Sequence, residues 1–209
     1  NLMPKTRKSD TTLFIILFIL CLIPVLSGGV RMFSLATNGP ADPENLNYIT
    51  NPIPIIAHML AYMVFCVFGT LQIAPRFRSR HTTFHRITGR LLIPIGILAA
   101  ATGIWMSLTY EPQITNGQTV AYVRIFFGAG MILCLFLGTC AIRRRNIAQH
   151  QIWMLRSYAI ALGASTQALV AIPWIALLGE PQGPPWAIAM FLTWMFNLAV
   201  AECTVRGQQ

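Results

Sequence analysis

Charged side chains are scarce in this sequence, and acidic side chains are the scarcest. Of 209 residues, 10% are charged and six are Asp or Glu, whereas 55% are hydrophobic. Soluble globular proteins have about 25% charged residues, so this composition belongs to a different class. The sequence also lacks a phosphate-binding loop, a Rossmann glycine pattern and a nucleophile–base triad. None of these common enzyme classes is therefore indicated.

The number and positions of the cysteines argue against a disulfide framework. Their number is odd, and all of them fall inside or at the ends of apolar segments. We interpret them as small side chains that pack between helices. The five are Cys21, Cys66, Cys134, Cys140 and Cys203.

Long apolar runs dominate what is present. A helix needs about 20 apolar residues to cross the hydrocarbon core of a bilayer, and this sequence contains six such runs. The first run is too long for the apolar core of a signal peptide, so we expect a retained anchor. The predicted fold class is an all-α integral membrane protein, a six-transmembrane-helix bundle in one domain over residues 1–209. The predicted helices are 12–33, 53–74, 86–110, 121–142, 150–178 and 186–203.

The net charge of +9 follows the membrane topology. Basic residues gather at alternate ends of the apolar runs, as the positive-inside rule expects for cytoplasmic loops. The pattern predicts a multi-pass protein of the cell inner membrane with both termini cytoplasmic. Its predicted partner is the lipid bilayer, and no nucleic acid is expected. The residues on the predicted cytoplasmic side are Lys5, Arg7, Lys8, Arg76, Arg78, Arg80, Arg86, Arg90, Arg143, Arg144, Arg145, Arg156 and Arg206.

Two basic segments each carry a histidine just before an apolar run. The first is RSRHTTFHRITGR at residues 78–90, and the second is RRRNIAQHQIWMLRS at residues 143–157. His85 precedes Arg90 by five residues, and His150 precedes Arg156 by six. The spacing predicts that the two imidazoles lie at equal depth on the same membrane face. A b-type haem needs such a pair on two facing helices.

This pattern favours one haem near the cytoplasmic face. His85 and His150 are the candidate axial ligands of haem b, and His81 is an alternate ligand. The cationic groups that would hold propionates or a quinone carbonyl are those of Arg86, Arg90 and Arg156. His58 lies near the opposite face and marks a possible second site. The fourth run offers Tyr122 and Arg124 there but no second histidine.

Several alternatives remain open at this point. His81, His85 and His150 together would give three nitrogen ligands to a non-haem metal. The same histidines would also suit an interfacial role beside lipid phosphate. His58 is equally well explained by a bond to a backbone carbonyl, and Glu202 by pairing with an inner arginine. At the level of function, the alternative to a cytochrome is a cofactor-free structural or assembly subunit of a larger membrane complex.

A resemblance to a known family rests on several of these residues. His58, Gln72, the HRITGR segment at 85–90 and the HQIWMLRSYAIA segment at 150–161 precede a last helix containing Trp194, Asn197 and Glu202. Over roughly residues 50–205 this combination resembles a bacterial integral membrane family, domain of unknown function 2306. The family has no assigned activity, so the resemblance implies a fold and no reaction.

A more distant likeness suggests a mechanism. The ascorbate-reducible transmembrane cytochromes b are six-helix proteins with a haem near each face. His58 is similar to their second-helix ligand, the HTTFH segment at 81–85 to the opening of their third helix, and His150 to their fifth-helix ligand. This likeness implies membrane electron transfer through haem on His85 and His150, with quinol or another membrane subunit as partner. Whether the protein is an enzyme is left open.

Overall fold

The computed structural model describes residues 7–37, 46–110 and 117–206, and these residues fold into helices with no strand. Six helical segments in this part of the chain are long and apolar enough to cross a membrane, which confirms the predicted fold class. Whether the termini are cytoplasmic remains a prediction. The helices are α1 (Arg7–Ala36), α2 (Leu46–Thr50), α3 (Pro52–Ile73), α4 (Pro75–Arg80), α5 (Thr82–Thr109), α6 (Gln118–Arg143), α7 (Ile147–Ala161), α8 (Gly163–Leu178) and α9 (Gly183–Arg206).

Several helix boundaries differ from those predicted, and two of the differences affect histidines. Helix α5 begins at Thr82 rather than near residue 86, so His85 lies within the helix. Helix α7 begins at Ile147, because the side chain of Asn146 accepts a hydrogen bond from the backbone N–H of Gln149 at 3.1 Å. The predicted helix 150–178 is also interrupted at Leu162, which separates α7 from α8.

The centre of the fold is a four-helix bundle of α3, α5, α6 and α7. Helices α3 and α6 each pack against both α5 and α7, so α5 and α7 occupy opposite corners. The same contacts place α3 and α6 at the other two corners. Helix α1 packs outside this bundle against α3 and α8, and α9 contacts α6, α7 and α8. Helices α5 and α7 both start at the arginine-rich end, called the basic end below, and run in parallel.

The break between α7 and α8 leaves backbone carbonyls that need partners inside the apolar part of the bundle. The indole N–H of Trp194 donates to the carbonyl of Ile160 at 2.9 Å, and the hydroxyl of Tyr62 donates to the carbonyl of Ala161 at 2.7 Å. Gly163 permits this arrangement, because a Cβ atom there would collide with the Trp194 indole. Side chains from α3 and α9 therefore stabilise the interruption.

A buried polar cluster joins α1 to the bundle. The Cys21 thiol lies 3.1 Å from the hydroxyl of Tyr158 and 3.3 Å from that of Thr70. Those two hydroxyls are 2.6 Å apart, and the Cys66 carbonyl accepts from both. All five cysteines are free thiols, which agrees with the predicted absence of disulfides. Cys21 does more than pack, because its thiol ties α1 to α3 and α7.

Replacing Trp194 by Phe should destabilise the protein, since the Ile160 carbonyl would lose its donor in an apolar environment. We expect a loss of about 1–3 kcal/mol in the free energy of unfolding, measured by circular dichroism during denaturant unfolding in mild detergent. Trp105→Phe is the matched control, because Trp105 is 44% exposed on the bundle surface. Equal losses for the two variants would show that the Trp194 hydrogen bond has no special role.

Candidate functional site

His85 and His150 occupy the same register on two parallel helices. Each is the fourth residue of its helix, α5 and α7 respectively. The backbone N–H of His85 bonds to the carbonyl of His81 at 2.9 Å, and that of His150 bonds to the carbonyl of Asn146 at 3.1 Å. Both imidazoles therefore branch from the first turn of helices at opposite corners of the bundle, at its basic end.

The imidazole of His150 is held in one orientation by a neighbouring helix. Its Nδ1 lies 2.9 Å from the carbonyl oxygen of Gly138 on α6. Because a carbonyl oxygen only accepts, Nδ1 carries the proton, and the lone pair of the neutral ring is on Nε2. Within the described residues Nε2 makes no hydrogen bond. Histidines that bind metals commonly have this arrangement, with one ring nitrogen bonded to a carbonyl and the other available.

The imidazole of His85 has an unsatisfied nitrogen. Its Nδ1 is buried and, among the residues that the structure describes, has no hydrogen-bond partner. Arg78, Arg86 and His150 are close enough to act on this ring electrostatically. One turn further along α5, the hydroxyl of Thr88 accepts a hydrogen bond from the Gln72 amide of α3, which fixes this part of α5 against α3. A buried nitrogen without a partner is costly, and a ligand at this position would remove that cost.

The predicted arginines separate into two groups. Arg86 and Arg90 are exposed at the basic end, near His85 in the chain. Arg156 instead forms an ion pair with Glu202 of α9, in which Nη2 lies 3.1 Å from Oε2, and its guanidinium stacks on Trp153 at 4.5 Å. The predicted pairing of Glu202 with an inner arginine is confirmed. Arg156 thus joins α7 to α9, and its assignment as a propionate ligand stays a prediction.

His81, the predicted alternate ligand, lies just outside the helix that carries His85. It precedes α5 as the N-cap residue, its side chain is exposed, and its ring packs against Phe77 with centroids 4.7 Å apart. In the described ranges no three His, Cys, Asp or Glu side chains are grouped so as to hold a metal ion. The metal site on His81, His85 and His150 stays a prediction, in which His81 would reach the metal from just before the first turn of α5.

His58 lies at the end of the bundle opposite the basic end. Its Nδ1 is 2.8 Å from the carbonyl of Ala99 on α5, which confirms the predicted carbonyl bond. Its ring stacks on that of Tyr62, one turn along α3, with a centroid distance of 5.9 Å. As in His150, the bond to a carbonyl assigns the proton to Nδ1 and the lone pair to Nε2.

His58 borders a cavity of about 600 Å³, called the His58 cavity below. Arg124 and Gln167 are among the other polar residues that line it, together with Tyr62, Ser107 and Gln118, and Tyr48 and Tyr110 lie at its outer end. The Tyr110 hydroxyl donates to the Asn51 carbonyl at 2.7 Å. Burial raises the pKa of Tyr110, so this hydroxyl stays protonated at neutral pH. Its hydrogen bond therefore fixes α5 to the segment between α2 and α3.

Sequence reasoning identified His58 but not the cavity. Gln167 and Arg124 stood out in the sequence only as polar residues inside apolar runs. Their convergence depends on how α6 and α8 pack around α3, for which local sequence gives no signal. His58 is the seventh residue of α3 and Arg124 is the seventh residue of α6, so they lie at matched depth on the second pair of opposite corners.

Residues 55–205 match a family described as predicted membrane protein, DUF2306. The chain belongs to this family. The matched region includes His58, the three histidines of the basic end and the α7–α8 break, whereas α1 lies outside it. The family resemblance seen in the sequence is thereby confirmed, while the likeness to cytochromes b stays a prediction. Neither the curated proteins nor the solved structures contain a match to the chain.

Gly138→Ala should disturb the position of His150. An added Cβ at residue 138 would displace the terminal methyl of Met154 and lie 3.2 Å from Cβ of Trp153, so α7 would have to shift by a few tenths of an ångström. We expect a loss of about 1–3 kcal/mol in the free energy of unfolding in mild detergent. Gly130→Ala on the same helix is the control, because its Cβ would come no closer than 3.8 Å to Ile160. A Gly138→Ala variant as stable as the control would contradict close packing at this point.

Proposed function

We propose that this protein is a cytochrome b-like electron-transfer protein with one haem b at the basic end of the bundle. His85 and His150 would hold its iron. The observation that carries it is the equal register of the two histidines on parallel helices at opposite corners. A macrocycle between two such corners is flanked by the remaining two helices, which is how helix bundles enclose haem.

The orientation of His150 supports the proposal. Its Nδ1–H is bonded to the Gly138 carbonyl, so Nε2 presents its lone pair as an axial ligand does. A histidine that serves only to bind lipid phosphate has no need of this internal bond. The buried, unsatisfied nitrogen of His85 adds a second indication, since both rings belong to the same end of the bundle.

The charges at the basic end suit the periphery of a haem. Propionates carry negative charge, and the exposed guanidinium groups of Arg86 and Arg90 provide positive charge beside His85. Arg156 and Glu202 support the position of His150 indirectly. Their ion pair holds α7, the helix that carries His150, against α9. His81, at the entrance to α5, is exposed and has no ligand role in the proposal.

Haem bound in this way supplies reversible one-electron chemistry. The protein groups determine its orientation, its solvent access and the charge around it. We place the protein in the bacterial inner membrane with the basic end cytoplasmic, following the distribution of its arginines. Its electron partners would be the quinone pool or another membrane subunit.

A visible difference spectrum tests this function. Detergent-purified protein expressed with ample haem should give a sharp reduced-minus-oxidised α-band. His150→Ala and His85→Ala should each abolish or shift that band, because an axial ligand is lost. His81→Ala is the matched control and should leave the spectrum unchanged, since this histidine belongs to the same basic segment but its ring lies against Phe77.

Two results would overturn the proposal. A colourless wild-type protein would exclude haem and favour the cofactor-free subunit of a larger complex, which should then co-purify with other chains. An unchanged spectrum in both ligand variants would place a haem elsewhere in the molecule. Circular dichroism of each variant in the same detergent shows whether a lost band reflects lost ligation or lost folding.

A further inference from the structure

We propose that the His58 cavity binds the head group of a quinol, with the hydroxyl of the ring donating a hydrogen bond to Nε2 of His58. The cavity lies at the end of the bundle away from His85 and His150. Binding there does not require haem, whereas a role of the quinol as electron donor rests on the proposed function.

His58 provides an acceptor on the cavity wall. Its Nδ1–H is used by the Ala99 carbonyl at 2.8 Å, and its ring is fixed further by stacking on Tyr62. The remaining nitrogen, Nε2, has no hydrogen-bond partner within the described part of the chain. A neutral imidazole held in this way accepts from a hydroxyl group and cannot donate to a carbonyl through the same atom.

Gln167 provides a donor on another helix. Its amide Nε2 is buried and has no hydrogen-bond partner among the described residues, and Gln167 lines the cavity. A buried amide without a partner costs free energy that a ligand oxygen at this position would recover. A complementary ligand therefore has a hydroxyl group that donates to His58 and an oxygen that accepts from Gln167. A quinol ring carries oxygens on opposite sides and meets both requirements.

Most of the remaining wall is apolar or aromatic, although Arg124 also lines it. Phe127 and Trp194 stack on each other at 4.6 Å and line the cavity together with Met131. Such walls suit a flat, largely apolar ring and do not suit a sugar or a nucleotide, whose many hydroxyls would be left without partners. A volume of about 600 Å³ is large enough for a substituted ring and the beginning of its tail.

The opening of the cavity suggests a lipid-soluble ligand. Leu108 and Tyr122 line the cavity and are also exposed on the surface of the bundle, at 69% and 67%. They follow α5 and α6 toward the end away from the basic loops, within segments that are long and apolar enough to lie in a membrane. A ligand dissolved in the bilayer would reach the cavity past these side chains, with its tail remaining among lipids.

Titration calorimetry with decylubiquinol and decylubiquinone on the full chain in detergent tests the proposal. The reduced form should bind about tenfold more tightly, because only the reduced ring donates a hydrogen bond to His58. His58→Phe keeps a ring at this position and should abolish the preference between the two forms. Gln167→Leu should weaken the binding of both forms about tenfold without abolishing the preference.

Two further variants separate site binding from partition into detergent. Ala164→Phe places a large side chain on the cavity wall and should abolish binding with every polar group retained. His81→Phe, at the basic end, should leave both affinities unchanged. Binding that survives Ala164→Phe, or equal affinity for the two forms in the wild type, would overturn the proposal.

Benzoate distinguishes an anion site from a quinol site. Its carboxylate would pair with Arg124, so benzoate binding that Arg124→Gln abolishes, with no quinol binding, would also overturn the proposal. The outcome is independent of the haem test. A colourless protein that binds quinol in preference to quinone would contradict the proposed function but not the quinol site. A coloured protein that binds neither quinol nor quinone would contradict the quinol site but not the proposed function.

Discussion

The bond between an imidazole N–H and a backbone carbonyl of the neighbouring helix is the interaction on which both ends of this bundle depend. Among apolar helices there is little water to satisfy a ring nitrogen, so an N–H that bonds to a protein acceptor avoids a cost in free energy. His150 finds the Gly138 carbonyl and His58 finds the Ala99 carbonyl. In both cases the bond fixes the tautomer and leaves Nε2 as the atom presented to a ligand.

The two histidines belong to different diagonals of the same four helices. At the basic end, His85 on α5 and His150 on α7 lie at the same depth. At the opposite end, His58 on α3 and Arg124 on α6 lie at the same depth. Between them, α3 carries His58, Tyr62, Cys66 and Thr70 at four-residue spacing, on one face of the helix. This polar line continues from the His58 cavity to the cluster around Tyr158, and it passes the α7–α8 break that Tyr62 stabilises. Much of the polar interior therefore lies along one helix, α3.

Local patterns in the sequence are sufficient to predict the membrane spans and the register of two histidines, but not the packing of the site residues. Apolar length gives the six spans, and the basic segments give the equal register of His85 and His150, because both signals are contained in short stretches of chain. The departure of His81 from α5 depends on where the helix begins, which a cap residue decides. The sequence indicated only that Glu202 could pair with one of the inner arginines, and not that this arginine is Arg156. The cavity at Gln167 depends on contacts among distant helices, which no single stretch of sequence encodes.

Haem stoichiometry tests the central claim most directly. A pyridine haemochrome assay on purified protein, expressed with ample haem and quantified by amino-acid analysis, gives the number of haems per chain. The account predicts one, because a single pair of histidines shares a register and His58 faces an arginine across the bundle. A value of zero would contradict the cytochrome b-like function. A value of two would show that His58 also ligates a haem and that its cavity is not a quinol site.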